Sequence, residues 1–461
     1  MLRAIAGLFG IVFIAVATIA LLGLTSPDFF QFLLGCAIFF TALCLARPAG
    51  DRKAFLSGTL VIWWFLMISE VMFNHFQTTE NAAKGNVDLG AFYQGLSWIL
   101  SCFALALISY SRPVYLRRLF AGPLKWATIF AIVAVVSCPL SPKPTYSLAL
   151  AFKLCVIVLT LCAMGEAIED EKGIYRLFLG MFLAEMLIVT KAFMAALISP
   201  TAFRDGRLAM VGLSGACGVL LLLCLLLLVL KKNLFFLMCG AYSVVVMMLA
   251  GNKGGMVASF VSLTMFFILL RKPAQALAVS FGFTLVLGLA IVFTPLGKSL
   301  EKYGEGGTAG TLTGRTNLWA EAWPNITSHP ILGNGYRASR FLSDEIPGAF
   351  QEAGNMHNSF LEVLYNNGLA GLVPIVVMNV LIVINLKGVL LRPPSLELRY
   401  YAAAALALQT HLVVWGLVAI TFGGAPSDRF MTFFAILLVS MFLRGQADKK
   451  YRKAVYGDRI S

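Results

Sequence analysis

Long apolar runs recur along most of this chain, and they restrict it to one class of fold. Each run, such as 4–23, 209–230 or 275–293, is long enough to cross about 30 Å of hydrocarbon. Hydrophobic residues make up 59% of the 461 positions and charged residues only 13%, which is too few to cover a soluble protein of this length. The sequence therefore predicts an all-α polytopic membrane protein.

The apolar runs predict about 12–14 transmembrane helices. The first run leads into Leu24–Pro27, which lacks the small-residue cleavage site of a signal peptide, so the run is taken as a span. The spans are expected at 4–23, 29–46, 54–73, 89–109, 124–138, 146–164, 174–198, 208–230, 234–250, 254–270, 275–294, 367–386, 399–421 and 428–443.

The charged residues predict the orientation in the membrane. Alternate threading of the spans places most Lys and Arg residues on one side, and by the positive-inside rule both termini are cytoplasmic. The net charge of +14 is therefore an orientation signal, and no nucleic-acid partner is expected. The short connections on the outer side contain few cations, namely Lys84, Lys143, Arg204, Arg207, Lys253 and Arg429.

One outer connection is exceptionally long, and it divides the chain. We expect N-terminal transmembrane helices in 1–294, a long periplasmic loop in 295–357, C-terminal transmembrane helices in 358–443 and a basic cytoplasmic tail in 444–461. Loops of this length are usually functional or disordered. Trp319, Trp323 and Ile326 follow helical spacing, so the loop is predicted to be partly helical, with Pro324 expected to kink or end the helix.

Four short motifs lie in and just after this loop, in a fixed order. An Arg precedes a Trp, a P-x-x-G-x-G turn follows, and a His-Asn pair opens a helix that ends in G-x-x-G. This order resembles the signature of the O-antigen ligase and polymerase superfamily. The residues are Arg315, Trp319, Pro330, Gly333, Gly335, His357, Asn358, Gly368 and Gly371.

The resemblance implies a GT-C-like membrane enzyme in the bacterial inner membrane. Members move a glycan from undecaprenyl pyrophosphate to an acceptor hydroxyl, with inversion and without a metal or other cofactor. The implied partners are the carrier-linked donor, the lipid bilayer, and either lipid A-core or a growing glycan as acceptor. No Cys/His metal spacing occurs in the sequence, so neither a metal site nor a disulfide is expected.

The chemistry of the motif residues agrees with that reaction. Arginine matches phosphate oxygens with a planar, permanently charged fork, so Arg315 is expected to bind the pyrophosphate. His357 can accept the proton of the attacking hydroxyl or bind the leaving phosphate. The resemblance also implies phosphate-binding cations at Arg204 or Arg207 and at Lys253, where the family often has Arg.

Alternatives remain open at this level. Ligases and polymerases share the signature, and the ligase is favoured here. The ionisable residues Glu70, Lys153, Glu185 and Lys191 lie in apolar runs and would suit a secondary transporter or flippase. A metal-dependent glycosyltransferase would need clustered outer carboxylates, for which Asp344 and Glu345 are weak candidates. His329 is expected to help build a turn, and His411 to be structural or unassigned.

Overall fold

In a computed structural model of the chain, the structure describes residues 52–72, 89–109, 113–198, 203–204, 207–208, 213–278, 281–282, 285, 315–341 and 355–456. The predicted spans at 4–23, 29–46 and 275–294 lie wholly or largely outside these residues. Each of the other predicted spans overlaps a helix.

The described residues are predominantly helical. The α-helices are α1 (Arg52–Met72), α2 (Leu89–Ser109), α3 (Leu124–Ser137), α4 (Pro144–Ala167), α5 (Glu171–Ile198), α6 (Leu213–Lys231), α7 (Leu234–Ala250), α8 (Lys253–Leu269), α9 (Arg315–Ser328), α10 (Ser359–Leu391), α11 (Leu396–Gly416) and α12 (Asp428–Tyr456). Short 3₁₀ helices span Pro113–Phe120, Cys138–Leu140 and Ala338–Phe341. Two strands, β1 (Phe203–Arg204) and β2 (Arg207–Leu208), form an antiparallel hairpin.

The predicted fold class, an all-α polytopic membrane protein, is confirmed. By length and composition, α4, α5, α6, α10 and α12 each contain a segment that could cross a membrane. Shorter apolar helices lie in α1, α2, α3, α7 and α8. Helix α12 continues beyond the predicted span at 428–443, as far as Tyr456.

Helices α6, α8 and α11 approach one another closely because glycines face their neighbours. A Cβ on Gly215 would lie 2.1 Å from the Trp415 ring, and a Cβ on Gly218 would lie 2.2 Å from Ser259 Oγ. Small residues allow this approach between membrane helices, where dispersion contacts replace the hydrophobic effect.

Helices α7 and α8 form a hairpin with a very short turn. Gly251 adopts a left-handed conformation (φ 62°) at the C-terminus of α7, which glycine tolerates without a steric penalty. Asn252 then caps α8, because its side chain accepts a hydrogen bond from the Gly255 amide at 3.1 Å. The turn thus places Lys253 at the first position of α8.

Helix α10 occupies the centre of the C-terminal part and contacts α3, α9, α11 and α12. Its N-terminal end carries the His-Asn motif. The predicted span at 367–386 therefore forms only part of a longer helix that begins at Ser359.

Candidate active site

Helix α10 is interrupted at Gly368, whose backbone angles (φ 58°, ψ −158°) are not helical. An interruption leaves backbone groups without intrahelical partners, and such groups are costly when buried. The turn at 330–335 replaces these partners on both sides of the break. The four bonds run from Asn334 N to Tyr365 O (2.9 Å), Gly335 N to Asn366 O (3.0 Å), Leu369 N to Pro330 O (2.8 Å) and Ala370 N to Ile331 O (3.0 Å).

Three motif glycines make this contact sterically possible. Gly333, Gly335 and Gly368 all have positive φ angles, of 68°, 104° and 58°. A Cβ on Gly333 would lie 2.6 Å from the backbone of residues 366–368, and a Cβ on Gly368 would lie 2.3 Å from the Ile331 oxygen. The turn and the broken helix are therefore a single backbone-to-backbone unit.

The N-terminal end of α10 is fixed by Asn358 and Ser359. The Asn358 side chain caps the helix by accepting from the amides of Phe360 and Leu361, and its Nδ2 donates to the Leu417 oxygen at 3.2 Å. Ser359 Oγ accepts from the Thr421 amide at 2.9 Å. The first turn of α10 is thus attached to the connection between α11 and α12.

His357 directly precedes this capped start and has an unusual backbone. Its φ of 50° lies in the left-handed region, which is uncommon for a residue other than glycine. Its amide donates to Asn355 Oδ1 at 2.8 Å. Burial lowers the pKa of the imidazole below its usual 6.5, the positive charge of Arg315 lowers it further, and Glu362 acts in the opposite direction.

Helix α9 places Arg315 and Trp319 beside this histidine. Arg315 is the first residue of α9 and lies near enough to His357 to affect its titration. The Trp319 indole Nε1 donates to the Met356 oxygen at 2.8 Å. The structure therefore brings the Arg-Trp motif and the His-Asn motif together.

Pro324 does not end α9, as the helix runs through it to Ser328. Proline removes the hydrogen bond to the carbonyl four residues earlier, and that residue, Ala320, lies on the exposed side of α9, where water can replace the bond. The adjoining His329 is exposed, and its backbone oxygen accepts from the Gly333 amide at 3.0 Å. His329 therefore contributes to the turn through its backbone.

A buried ion pair near His357 was not predicted from the sequence. Arg337 Nη1 lies 3.0 Å from Glu362 Oε1, and the Glu362 side chain is fully buried. Ser339 Oγ and Asn366 Nδ2 donate to the same oxygen, at 2.6 and 3.1 Å. Burial lowers the pKa of Arg337, but Tyr146 and Glu362 outweigh this effect and raise it, which favours the charged guanidinium.

The charge pattern could have suggested this pair. Glu362 lies in the first turn of the helix that the His-Asn pair opens, and Arg337 follows the P-x-x-G-x-G turn. A carboxylate on an otherwise apolar helix start needs a partner when it is buried. Nothing in the spacing, however, identifies which of the nearby arginines supplies it.

Lys253, at the start of α8, approaches this region, and the hairpin with Arg204 and Arg207 contacts α7. A Cβ on Gly254 would lie 2.6 Å from Val418 Cγ2, so the start of α8 contacts the same connection that Asn358 binds. The register of the hairpin pairs Arg204 with Arg207, and β2 contacts α7, the helix that leads to Lys253. The side chains of the two arginines lie outside the described residues.

A groove with a volume of about 470 Å³ begins at the first turn of α10 and runs between α10 and α11. Its polar lining is limited mainly to Asn379, Gln409 and Thr410, and the Gln409 amide donates to Asn379 Oδ1. The apolar lining includes Phe360, Val376, Val380, Val383, Leu406 and Val413. The groove is thus an apolar surface adjoining the His357 region.

Two ionisable residues in the described membrane helices, Lys153 and His411, have different surroundings. Lys153 is buried, and its Nζ lies 5.3 Å from the centre of the Trp98 ring. His411 is also buried and bonds the Gly215 oxygen through Nε2 at 3.0 Å. Among the described residues, no group of three or more His, Cys, Asp or Glu side chains could hold a metal ion.

Part of the chain matches a known protein family. Residues 238–376 match the family model Wzy_C, described as O-antigen ligase. The match extends from α7 through Lys253, Arg315 and His357 into α10. No curated protein matched the chain.

Proposed function

From the match of residues 238–376 to the O-antigen ligase family model, we propose that this multi-pass membrane protein is a glycan ligase. The match confirms the resemblance to the O-antigen ligase and polymerase superfamily. The proposed ligase transfers a glycan from undecaprenyl pyrophosphate to a hydroxyl of lipid A-core at the periplasmic face of the inner membrane. The observation that carries this proposal is the placement of His357, with its lowered pKa, next to Arg315 at the capped start of α10.

His357 is proposed to be the general base. The imidazole accepts the proton of the acceptor hydroxyl while that oxygen bonds to the anomeric carbon. The bond from this carbon to the pyrophosphate oxygen breaks, and the electron pair stays on the pyrophosphate. The lowered pKa supports this role, because a neutral imidazole is needed in a base, whereas a phosphate ligand would benefit from the charged form.

Arg315 is proposed to bind the pyrophosphate as negative charge develops on it, with Lys253 and Arg204 or Arg207 as further cations. Arginine can make two parallel charge-assisted hydrogen bonds to phosphate oxygens. Fixed charges of this kind stabilise a developing anion without reorganising during the reaction. The groove between α10 and α11 offers an apolar surface to the polyprenyl tail.

The replacement His357→Ala tests the catalytic assignment. We expect transfer between purified lipid-linked donor and acceptor to fall by about 10²–10⁴-fold, the usual contribution of a general base. Below about pH 6.5 the wild-type rate should remain high until the lowered pKa is reached, because His357 stays neutral to a lower pH than a solvated histidine. His329→Ala is the matched control, and equal activity of both variants would refute the mechanism.

A deletion strain distinguishes ligase from polymerase. Mass spectrometry of the two glycan pools should find full-length polymer on the lipid carrier and bare acceptor at the surface. Single repeat units on the carrier or at the surface would instead identify a polymerase. Unchanged pools would contradict both assignments.

A further inference from the structure

We propose that Glu362 and Trp319 are positioning residues that clamp the Met356 peptide and so hold His357 in its left-handed backbone conformation. The inference rests on the proposed function, since it concerns the residue assigned as the base. Neither Glu362 nor Trp319 is expected to touch the substrate. Their effect reaches the reaction through the peptide that precedes His357.

Both polar backbone groups of Met356 are bound by side chains. Its amide donates to Glu362 Oε2 at 3.0 Å, and its carbonyl oxygen accepts from Trp319 Nε1 at 2.8 Å. Met356 itself is fully buried and packs with Leu318 and Tyr365. The peptide unit between Met356 and His357 is therefore held at its oxygen by Trp319, and at the His357 amide by Asn355 Oδ1 at 2.8 Å. Glu362 holds the preceding peptide unit through the Met356 amide.

His357 needs such support because its backbone conformation is unfavourable. A positive φ in a residue with a Cβ persists only where the surrounding structure determines it. The clamp acts on the preceding residue, and the Asn358 cap acts on the following one. His357 is thus held from both sides.

Glu362 is itself prevented from rotating away. Its second oxygen, Oε1, accepts from Arg337, Ser339 and Asn366. A carboxylate fixed by three donors on one oxygen presents the other oxygen to the Met356 amide in one direction. The arrangement is the second layer of support that an accurate catalytic geometry requires.

Trp319→Phe tests the clamp with the smallest structural change. It retains an aromatic ring and removes the N–H that binds the Met356 oxygen. Displacement of a catalytic group by about 1 Å can cost about 100-fold in rate, so we expect kcat to fall by about 10–100-fold while KM for the donor changes little. Trp323→Phe, in the exposed part of the same helix, is the matched control.

Glu362→Gln is the second variant. One end of the glutamine amide is an N–H donor, so it cannot accept both from the Met356 amide and from the donors that bind the other oxygen of Glu362. This variant should lower kcat in the same direction as Trp319→Phe. Equal kcat values for Trp319→Phe and Trp323→Phe would overturn the proposal, as would a Trp319→Phe defect confined to KM.

A chemical readout separates the clamp from the proposed function. The rate of acylation of His357 by diethyl pyrocarbonate can be followed by mass spectrometry in the full-length protein, with exposed His329 as the internal reference. We expect Trp319→Phe to change the His357 rate several-fold and Trp323→Phe to leave it unchanged. An unchanged rate in Trp319→Phe and Glu362→Gln overturns the clamp, whatever happens to transfer. Full transfer by His357→Ala would overturn the proposed function, and the catalytic meaning of the clamp with it.

Discussion

Glu362 and Glu185 are both fully buried carboxylates on apolar helices, but their surroundings differ completely. Glu362, in α10, accepts hydrogen bonds from Arg337, Ser339, Asn366 and the Met356 amide. Glu185, in α5, has no hydrogen-bond partner for either oxygen among the described residues. The charges of Asp428 and Arg429, at the start of α12, act on its carboxyl group.

The contrast shows that burial of a charged residue does not by itself indicate what the residue does. A carboxylate with a complete set of donors fixes the geometry of several chain segments at once. A carboxylate without partners pays the cost of desolvation and fixes nothing. The sequence draws attention to Glu185 as an intramembrane charge, whereas Glu362 has the larger structural role.

Separation of the Arg337–Glu362 pair should have the largest effect on stability. Either Glu362→Gln or Arg337→Gln removes one charge of a buried ion pair, which costs about 3–5 kcal/mol in typical cases. The double variant should lose less than the sum of the single losses, because no buried charge then remains unpaired. Thermal unfolding in detergent measures all three variants, and strictly additive losses would show that the pair does not interact.

Gly368→Ala should have the next largest effect on stability, because Gly368 lies at the break in α10 where the turn at 330–335 binds the helix. The added Cβ would lie 2.3 Å from the Ile331 oxygen at a residue with a φ of 58°. Strain at such a position costs about 1–3 kcal/mol before any steric overlap is included.

Gly180→Ala in α5 is the matched control for Gly368, since no described atom beyond its own stretch of helix lies within 4 Å of the added Cβ. There alanine should stabilise the helix slightly, by up to about 1 kcal/mol. Thermal unfolding of both variants should therefore shift in opposite directions. An unfolding temperature of Gly368→Ala equal to or above that of the wild type would show that the break does not depend on glycine.

Glu185→Leu should have the smallest effect and would sharpen the comparison. An apolar side chain there removes a buried polar group that makes no hydrogen bond and so carries an uncompensated desolvation cost, and we expect a change within about 1 kcal/mol and unaltered transfer. A destabilisation as large as that of Glu362→Gln would mean that the two carboxylates are equally well partnered, and the comparison would fail.

Much of the fold could be predicted because membrane helices are encoded locally. A run of apolar residues must satisfy its backbone internally, and a helix does so within the run. The turn between α7 and α8 is also readable, because Gly251 and Asn252 are typical residues for ending one helix and capping the next. The sequence did not show that the helix opened by His357 and Asn358 and the span predicted from 367 are one broken helix, because the bonds across Gly368 come from the distant turn at 330–335.

The candidate site was predictable as a set of motifs but not as a geometry. The order of Arg315, Trp319 and His357 indicates the family, and the family model matches this part of the chain. The role of Trp319 as donor to Met356, and the pairing of Arg337 with Glu362, depend on contacts between segments separated in sequence. Such contacts leave no periodic pattern that a single sequence could show.

The bridged break in α10 also has a consequence for the order in which the protein is made. The turn at 330–335 leaves the ribosome before α10, so the partners of the broken backbone already exist when residues 365–370 emerge. In a chain where this turn followed α10, the helix would insert while the carbonyl and amide groups at the break still lacked hydrogen-bond partners. The direction of synthesis and the architecture of the break therefore suit each other.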